Sequence, residues 1–484
     1  MKPKFQSLLF SYPLDTWLTT KDIAFDDLVD GIYSQLLGHE LKRNSSKTRD
    51  TLKVVLLNLY STYLTSPKLY ISYSRDENYY NSSYRYVSRR IHYSSLVGNV
   101  IPALIRLELI EHHIGWYDKE FGKGYQSRMK ATLLFTQLID HFEVEPSMLS
   151  ISKDKEIIRL KDEQKKLINY EDTPFTNEIR SDLQFINRHL LAHTIDLAIT
   201  QEQMKALLEQ LKRANLRDDE DEEDRSLSFF TRKSLYRIFS NSRWDHNGRF
   251  YGAFWQNIPK DFREYLTIDG HTTVELDFSA THPRMLHDTL GIELTSDPYT
   301  GIGSLSRSKG KSIVGIMLNA NSRKSAAKAY RKKHSLKTLE KAEAVVDMVL
   351  EHHSALEEYF FTGIGREFMF YDAQIANNVM IRAITEYETV LLPIHDSFVC
   401  LQGFEDNLKQ LMAEEYMKVM SAKWVPKIDR KDSSFYLTDL DRLLVAEYGE
   451  IALSDYPVDK QQAYRHEQLT KQAKQNQREY RIHF

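Results

Sequence analysis

Residues 269–288 read Asp-Gly-His-Thr-Thr-Val-Glu-Leu-Asp-Phe-Ser-Ala-Thr-His-Pro-Arg-Met-Leu-His-Asp. The run 272–276 is short, largely apolar and β-branched, which predicts a buried strand. Asp277 follows at the end of this strand, and Pro283 lies where a helix is expected to begin. A carboxylate at the tip of a core strand is costly unless a cation meets it. The alternative is an aspartate that caps the next helix, which is common.

A second aspartate occupies a similar position further along the chain. Residues 391–401 read Leu-Leu-Pro-Ile-His-Asp-Ser-Phe-Val-Cys-Leu, which predicts a β-hairpin with His395 and Asp396 at its tip. If the two strand ends are neighbours, Asp277 and Asp396 form a pair of oxygen ligands. Mg²⁺ prefers one or two carboxylates together with substrate phosphates. Two such ions stabilise the attacking and leaving oxygens of a phosphoryl transfer.

A basic segment lies between the two aspartates. Residues 307–337 contain ten Lys or Arg and no acidic residue. Arg307 and Lys311 are four residues apart and share a helical face, which Gly315 and Asn319 continue. Small and polar residues on this face would let a nucleotide approach closely. The segment is suited to a triphosphate or a nucleic-acid backbone, and the alternative is a solvated basic helix.

These motifs resemble, in order and spacing, the conserved motifs of family A DNA polymerases. The run into motif A is matched by Gly248-Arg249-Phe250, by Gln-Asn-Ile-Pro at 256–259, and by Asp277-Phe278-Ser279 with Arg284. Arg307, Lys311 and Asn319 are similar to motif B, and His395-Asp396 is similar to motif C. Gln374 stands where the family has a glutamine that touches the primer–template. The resemblance covers about residues 245–405.

The resemblance implies an α+β fold with a right-hand polymerase palm, built on an antiparallel sheet, and helical fingers. Asp277 and Asp396 would be the catalytic and metal-binding residues, with the backbone carbonyl of Phe278 as a further ligand. The implied cofactor is a pair of Mg²⁺ ions, for which Mn²⁺ could substitute. Nucleotide binding is implied for Arg307, Lys311, Gly315, Asn319, His282 and Phe278. Primer or template binding is implied for Arg249, Gln256, Arg284, Gln374 and His395.

Three positions depart from the family A pattern. The family usually has Glu at the position of His282, as a gate against ribose, Tyr at that of Asn319, and Glu at that of Ser397. His-Asp-Ser-Phe is the form found in single-subunit phage-type RNA polymerases. We therefore expect a template-directed DNA polymerase that extends a primer 3′-hydroxyl with nucleoside triphosphates. The alternatives are an RNA polymerase or primase-like enzyme, a template-independent polymerase, and a non-catalytic DNA-binding initiator or regulator.

Residues 1–145 are expected to form a winged helix-turn-helix-like DNA-binding domain. Helical periodicity over 51–64 and 94–110, the second with Pro102 inside it, precedes two predicted strands around Gly122-Lys123-Gly124. Such a module places a helix in a groove and its wing on the phosphates. A packing domain with the same fold is the alternative. The basic residues suited to DNA contact are Arg85, Arg89, Arg90, Lys123, Arg128 and Lys130.

The other segments follow from composition. Residues 146–217 are predicted to be helical and are a candidate substitute for a thumb. Residues 218–225 are an acidic linker, because a run of like charge is usually solvated. Residues 226–445 form the palm and fingers, opening with a helix near 235–239, and 446–484 form a charged C-terminal tail.

The whole chain has 484 residues, 42% of them hydrophobic, and a net charge of −3, so its charge is local rather than global. Its single cysteine, Cys400, excludes an intramolecular disulfide framework and fits a cytoplasmic protein. No apolar run is long enough for a membrane span, and no secretory signal is recognised. The expected partners are DNA primer–template or single-stranded DNA and nucleoside triphosphates, with no membrane, and protein partners are left open.

Overall fold

The computed structural model describes residues 11–37, 46–65, 67–80, 85–118, 123–144, 149–152, 154–215 and 233–431. The acidic linker 218–225 and the charged tail 446–484 lie outside these residues. Within the described ranges, the buried apolar side chains form two cores. One is built from residues 14–144 and the other from residues 158–416.

The N-terminal core is covered by helices and a small sheet. The helices are α1 (Ile23–Leu37), α2 (Ser46–Thr65), α3 (Glu77–Tyr80), α4 (Tyr93–Ser95), a π-helical turn (Leu96–Val100), α5 (Ile101–Arg106) and α6 (Leu133–His141). The strands are β1 (Ser11–Pro13), β2 (Leu18–Thr19), β3 (Tyr70–Tyr73), β4 (Ile110–His113), β5 (Trp116–Asp118), β6 (Lys123–Tyr125) and β7 (Ser127–Ala131). Among the described residues, four strands form a sheet in the order β1-β3-β7-β4, and β5 pairs with β6.

The helix expected over residues 94–110 is shorter than its periodicity indicated. Pro102 is accommodated in the first turn of α5, where its missing N–H costs nothing, directly after the π-helical turn. The helix ends at Arg106 because Glu108 has a φ of +57°, which a right-handed helix cannot contain. Residues from Ile110 onward then pair as β4 with β7.

The stretch 146–217, expected to be helical, is only partly so. It contains β8 (Ser150–Ile151), β9 (Ile158–Leu160), α7 (Pro174–Ala192), β10 (Ile195–Leu197) and α8 (Gln201–Asn215). The three strands are too short to show a periodicity of their own, and each is stabilised by a distant partner. β9, for example, pairs with residues 237–239 and buries Ile158 and Leu160. The stretch therefore contributes to the second core.

The C-terminal part contains the remaining elements. Its strands are β11 (Tyr236–Phe239), β12 (Asn247–Tyr251), β13 (Leu266–Ile268), β14 (His271–Phe278), β15 (Leu392–Ile394), β16 (Ser397–Leu401) and β17 (Ile428–Arg430). Its helices are α9 (Lys260–Arg263), α10 (Thr281–Thr289), α11 (Arg307–Asn319), α12 (Arg323–Lys333), α13 (Leu339–His352), α14 (Gly365–Tyr387) and α15 (Glu405–Met420), with 3₁₀ turns at Phe254–Asn257 and Ser354–Tyr359. The helix expected near 235–239 is the strand β11 instead, because β9 and β12 pair with it on both sides.

An antiparallel sheet organises this part of the chain. Within the described residues it has six strands, in the order β10-β13-β14-β16-β15, with β17 paired to β14. The strand β14 is thus central, as expected of an apolar β-branched run. Phe278 at its end contacts Tyr416 of α15, with ring centroids 5.6 Å apart. The mixed α and β fold with an antiparallel sheet, predicted from the sequence, is confirmed.

An ion-pair network joins the two halves of the chain, the N-terminal part and the part that forms the second core. Arg85 Nη1 lies 3.1 Å from a Glu156 carboxylate oxygen and 3.0 Å from Asp172 Oδ1. Arg180 of α7 reaches the same two acids at 3.3 and 2.8 Å. The guanidinium of Arg85 also stacks on the Tyr170 ring, 3.8 Å from its centroid. Arg85 therefore links the halves and is not free for phosphate contact in this arrangement.

Candidate active site

Asp277 and Asp396 are brought together by the pairing of two strands. β14 and β16 run antiparallel with Asp277 directly opposite Ser397, the residue after Asp396. The backbone nitrogen of Phe278 lies 3.5 Å from the carbonyl oxygen of Asp396. Two carboxylates from distant parts of the sequence thus meet at one edge of the central strand.

The turn that carries Asp396 is tight and strained. Ile394 and Ser397 face each other across β15 and β16, so His395 and Asp396 are the only residues of this turn. His395 has a φ of +59°, a left-handed conformation that glycine usually supplies in such turns. The Ser397 hydroxyl oxygen lies 3.1 Å from the Ile394 carbonyl oxygen across this turn. Strain retained at a non-glycine residue is a feature of functional sites.

Asp396 is surrounded by groups that favour its charged form. Burial alone would raise the pKa of this carboxyl, but Arg249, the Thr281 hydroxyl and His282 together lower it. The Thr281 hydroxyl donates a hydrogen bond of 2.6 Å to Asp396 Oδ2. The same hydroxyl lies 3.4 Å from the backbone carbonyl of Phe278, which places that carbonyl beside the carboxylate.

Asp277 has the opposite electrostatic environment. Burial and the neighbouring charge of Asp396 raise the pKa of Asp277 to about 6, although Lys431 acts against them. Two carboxylates that disfavour each other's charge in this way form a site that a cation would stabilise.

Arg249, Asp372 and His282 form a hydrogen-bonded cluster beside Asp396. Arg249 makes a buried ion pair with Asp372, with its Nε 3.1 and 3.0 Å from the two carboxylate oxygens. His282 Nε2 lies 3.1 Å from Arg249 Nη2 and 3.2 Å from Asp372 Oδ2. His282 is therefore anchored by this cluster at the position where the family resemblance implies a sugar gate. Asp372, only 3% exposed, was missed by the sequence analysis although it lies two residues before Gln374.

The face of α11 predicted to bind nucleotide is open to solvent over most of its length. Arg307, Lys311 and Gly315 are exposed, and Asn319 is half-buried. Arg307 is held by an ion pair of 2.5 Å with Asp297. Asn319 donates a hydrogen bond of 2.9 Å to the Gly315 carbonyl, so its amide is already engaged within the helix.

The two glycines of α11 differ in their surroundings, and only one of the two positions requires glycine. A Cβ on Gly310 would lie 2.2 Å from the carbonyl oxygen of Tyr299, so only glycine lets the helix pack there. A Cβ on Gly315 would meet nothing within 4 Å. The expectation that a nucleotide approaches the face at Gly315 stays a prediction, and the need for Gly310 was not recognised from the sequence.

The residues expected at primer and template differ in their surroundings. Gln256 donates hydrogen bonds to the carbonyls of Phe250 at 2.9 Å and Pro393 at 3.2 Å, which ties the turn before α9 to the β15–β16 hairpin. Its amide N–H groups are therefore already engaged within the protein. His395 is exposed at the hairpin tip and lies against the Tyr251 ring, with centroids 6.0 Å apart. The protein atoms packed around its ring, and then the charge of Arg249, lower the pKa of His395, although the residue as a whole is open to solvent at the tip.

Arg284 and Gln374 make no side-chain hydrogen bond to the described part of the chain, although the charge of Arg284 acts on Asp288 of the same helix. Arg284 is half-buried on α10, and its Nε atom makes no hydrogen bond there. Gln374 is half-buried on α14, two positions after Asp372. Both side chains are available to a ligand, although the structure assigns them none.

A further acidic residue, Glu275, was not recognised from the sequence. It is buried in the middle of β14, where Arg263 lies 3.2 Å away and the Ser397 hydroxyl donates a hydrogen bond of 2.7 Å. Lys431 also pairs with it and reaches Asp277 Oδ2 at 3.2 Å. Glutamate within an otherwise apolar strand was the available signal, because such a charge requires a buried cation.

The residues present fit a divalent cation. Among the described residues, no group of three or more His, Cys, Asp or Glu forms a metal cluster of its own. Mg²⁺, however, commonly takes one or two carboxylates and completes its shell with waters and substrate phosphates. Asp277, Asp396 and the Phe278 carbonyl supply hard oxygen donors, and burial together with the charge of Asp396 raises the pKa of Asp277.

Comparisons with known proteins give no family assignment. No family model matches the chain, and no curated protein matches it. Among solved structures, it is similar to the POL domain of Pol1 from M. smegmatis in complex with DNA primer-template and dNTP. The identity is 12% and the TM-score 0.30, over 84% of this chain and 71% of that one. A similarity at this TM-score establishes neither the fold nor the function of this chain. In the part of the chain that the structure describes, no helix is long and apolar enough to cross a membrane.

Proposed function

We propose that this protein is a template-directed DNA polymerase of the family A type, which extends a primer 3′-hydroxyl with nucleoside triphosphates. The observation that carries the proposal is the meeting of Asp277 and Asp396 across the β14–β16 pair. The buried cluster of Arg249, Asp372 and His282 beside them supports it.

The proposed chemistry is in-line attack of the primer 3′-hydroxyl oxygen on the α-phosphorus of the nucleoside triphosphate. The new phosphodiester bond forms as the bond between the α- and β-phosphates breaks, pyrophosphate leaves, and the hydroxyl proton passes to solvent. Asp277 and Asp396, with the Phe278 carbonyl, would hold two Mg²⁺ ions, or Mn²⁺ in their place. When bound, these ions would stabilise the charges that develop on the attacking and leaving oxygens. Thr281 and Arg249 keep Asp396 ionised and oriented, which is what a metal ligand requires.

The remaining site residues would position the substrates. Arg307 and Lys311 would neutralise the triphosphate, and the open space at Gly315 would admit the nucleotide beside Asn319. His282 would face the sugar from its anchored position. Residues that would lie along primer and template are Arg249, Gln256, Arg284, Gln374 and His395. Positioning and charge neutralisation are the main terms in such a transfer.

A ribonucleotide polymerase or primase-like enzyme is the second candidate, and two observations bear on it. Ser397, which suggested it, hydrogen-bonds buried Glu275, so its identity also has a packing explanation. His282, at the proposed sugar gate, is held by Asp372 and Arg249. Its ring is therefore not free to turn toward the sugar and select between ribose and deoxyribose. Supplying ribonucleotides and deoxyribonucleotides separately decides between the two.

For residues 1–145 we propose a winged-helix-like module that contacts DNA, with residues 146–217 serving in place of a thumb. Arg128 is buried, and Lys130 pairs with Glu111 at 2.9 Å. Together with the engaged Arg85, this leaves Arg89, Arg90 and Lys123 as the candidates for phosphate contact, with Arg90 3.9 Å from an Asp154 carboxylate oxygen.

The experiment is primer extension with Mg²⁺ by the wild type, Asp277→Asn and Asp396→Asn. Each variant should lose about a thousandfold or more of the rate, because several kcal/mol of charge stabilisation at the transition state depends on the ions. The matched control is Asp347→Asn, which removes an exposed carboxylate paired with Arg323 on α12. Extension by both site variants at the wild-type rate would rule the proposal out.

A further inference from the structure

Lys431 places an ammonium group directly on the proposed metal-binding carboxylate. Its Nζ lies 3.2 Å from Asp277 Oδ2 and forms a closer ion pair with Glu275. The backbone of Lys431 is fixed, because its N–H donates a hydrogen bond of 3.0 Å to the Glu275 carbonyl next to the β14–β17 pairing. The side chain of Lys431 is 25% exposed. A cation thus occupies one side of Asp277.

Glu275 does not depend on Lys431 alone. Arg263 Nη1 lies 3.2 Å from Glu275 Oε1, and the Ser397 hydroxyl donates a hydrogen bond of 2.7 Å to the same oxygen. Glu275 is 8% exposed, and its charge is balanced by these groups together with Lys431. Lys431 therefore has a stable position on Glu275 whether or not it also touches Asp277. Its contact with Asp277 is the one that can be exchanged.

Building on the proposed metal pair, we propose that Lys431 is a resident cation that a divalent ion must displace from Asp277. Lys431 then sets how tightly the site binds metal before substrate arrives. On metal binding, the ammonium withdraws to Glu275, a shift that leaves the backbone of β17 in place. A like charge close to a metal ligand weakens metal binding through Coulomb repulsion, which a partly exposed position screens only in part.

The alternative role for Lys431 is a structural counter-ion for Glu275 only. In that case, removing the ammonium would lower stability and leave metal affinity unchanged. The two roles are separated by measuring Mn²⁺ binding directly, in the full chain without nucleic acid or nucleotide, by electron paramagnetic resonance or titration calorimetry. This readout does not require the protein to be active.

The variants are Lys431→Met, Lys431→Arg and the control Lys427→Met. Lys431→Met keeps the length of the side chain and removes the charge, so the Kd for Mn²⁺ should fall by about tenfold. Lys431→Arg keeps the charge and should bind Mn²⁺ as the wild type does. Lys427 pairs with Asp429 at 3.4 Å, so its replacement should leave Mn²⁺ binding unchanged. A thermal unfolding curve in chelator verifies that each variant is folded.

Unchanged or weaker Mn²⁺ binding by folded Lys431→Met would overturn the proposal. If Lys431→Met loses its fold, Lys431→Gln serves as the second variant with the same expected result. Asp277→Asn separates this proposal from the proposed function. Loss of Mn²⁺ binding in Asp277→Asn together with no change in Lys431→Met rejects only the role of Lys431. Full Mn²⁺ binding by Asp277→Asn rejects the metal pair itself, and with it both proposals.

Discussion

Asp372 offers the sharpest test of how the site is held together. Its carboxylate is almost fully buried and accepts the hydrogen bonds of Arg249, with His282 at 3.2 Å. Asp372→Asn removes the negative charge and leaves the Arg249 guanidinium buried without a counter-ion. Asp396 is the other acid whose charge acts on Arg249. Arg249 would then be drawn toward the Asp396 carboxylate, so both stability and the proposed metal binding should suffer.

The expected cost follows from burial. Breaking a buried ion pair by removing one partner typically costs about 3–5 kcal/mol, because the other charge stays uncompensated. Asparagine keeps part of the hydrogen bonding, so we expect about 3 kcal/mol of the free energy of unfolding to be lost. The matched control is Asp347→Asn, whose pair with Arg323 is 53% exposed on both sides. Exposed pairs are worth about 1 kcal/mol or less.

Urea denaturation followed by tryptophan fluorescence measures this difference, since Trp255 is fully buried in the same core. The double variant Arg249→Met with Asp372→Leu should recover most of the lost stability, because apolar replacement of a whole buried pair is often neutral or stabilising. The reasoning is refuted if Asp372→Asn costs no more than Asp347→Asn. It is refuted equally if the double variant is no more stable than the single one.

Three further predictions concern the turn, the glycines and the basic helix. His395→Gly should relieve the left-handed strain and stabilise the protein by about 1 kcal/mol, yet slow primer extension. Unfolding curves test the change in stability, and extension rates test the change in activity. Gly310→Ala should destabilise by about 1–3 kcal/mol through the clash with Tyr299, whereas Gly315→Ala should stabilise α11 by up to about 1 kcal/mol and raise the KM for nucleotide. Lys324, Lys328 and Arg331 are exposed on α12. Replacing all three by Ala should reduce the magnitude of the slope of log K against log salt concentration, for binding of single-stranded DNA, by about 2. An unchanged slope would exclude phosphate contact there.

The central strand and the hairpin could be predicted from the sequence because their signals are local. A short, largely apolar run with β-branched residues predicted β14, and two apolar runs around His395-Asp396 predicted the turn that carries the second carboxylate. The helix α11 likewise follows from the spacing of its residues. These are the elements whose own residues provide most of the reason for their conformation.

What could not be predicted depends on distant partners. β9 and β11 are short and are strands because they pair with each other and with β12. Asp372 and Glu275 are acids whose importance appears only when Arg249, Arg263 and Lys431 lie against them. The sequence shows the charge of each residue but not which opposite charge the fold brings to it.

The most direct measurement is single-nucleotide incorporation on a defined primer–template by the wild-type protein. Each deoxynucleoside triphosphate is supplied alone, against each of the four template bases, with Mg²⁺ and again with chelator. We predict that the primer grows by one nucleotide only when the base is complementary and the metal is present. Absence of any incorporation by folded protein, or incorporation that ignores the template base, would contradict template-directed synthesis at Asp277 and Asp396.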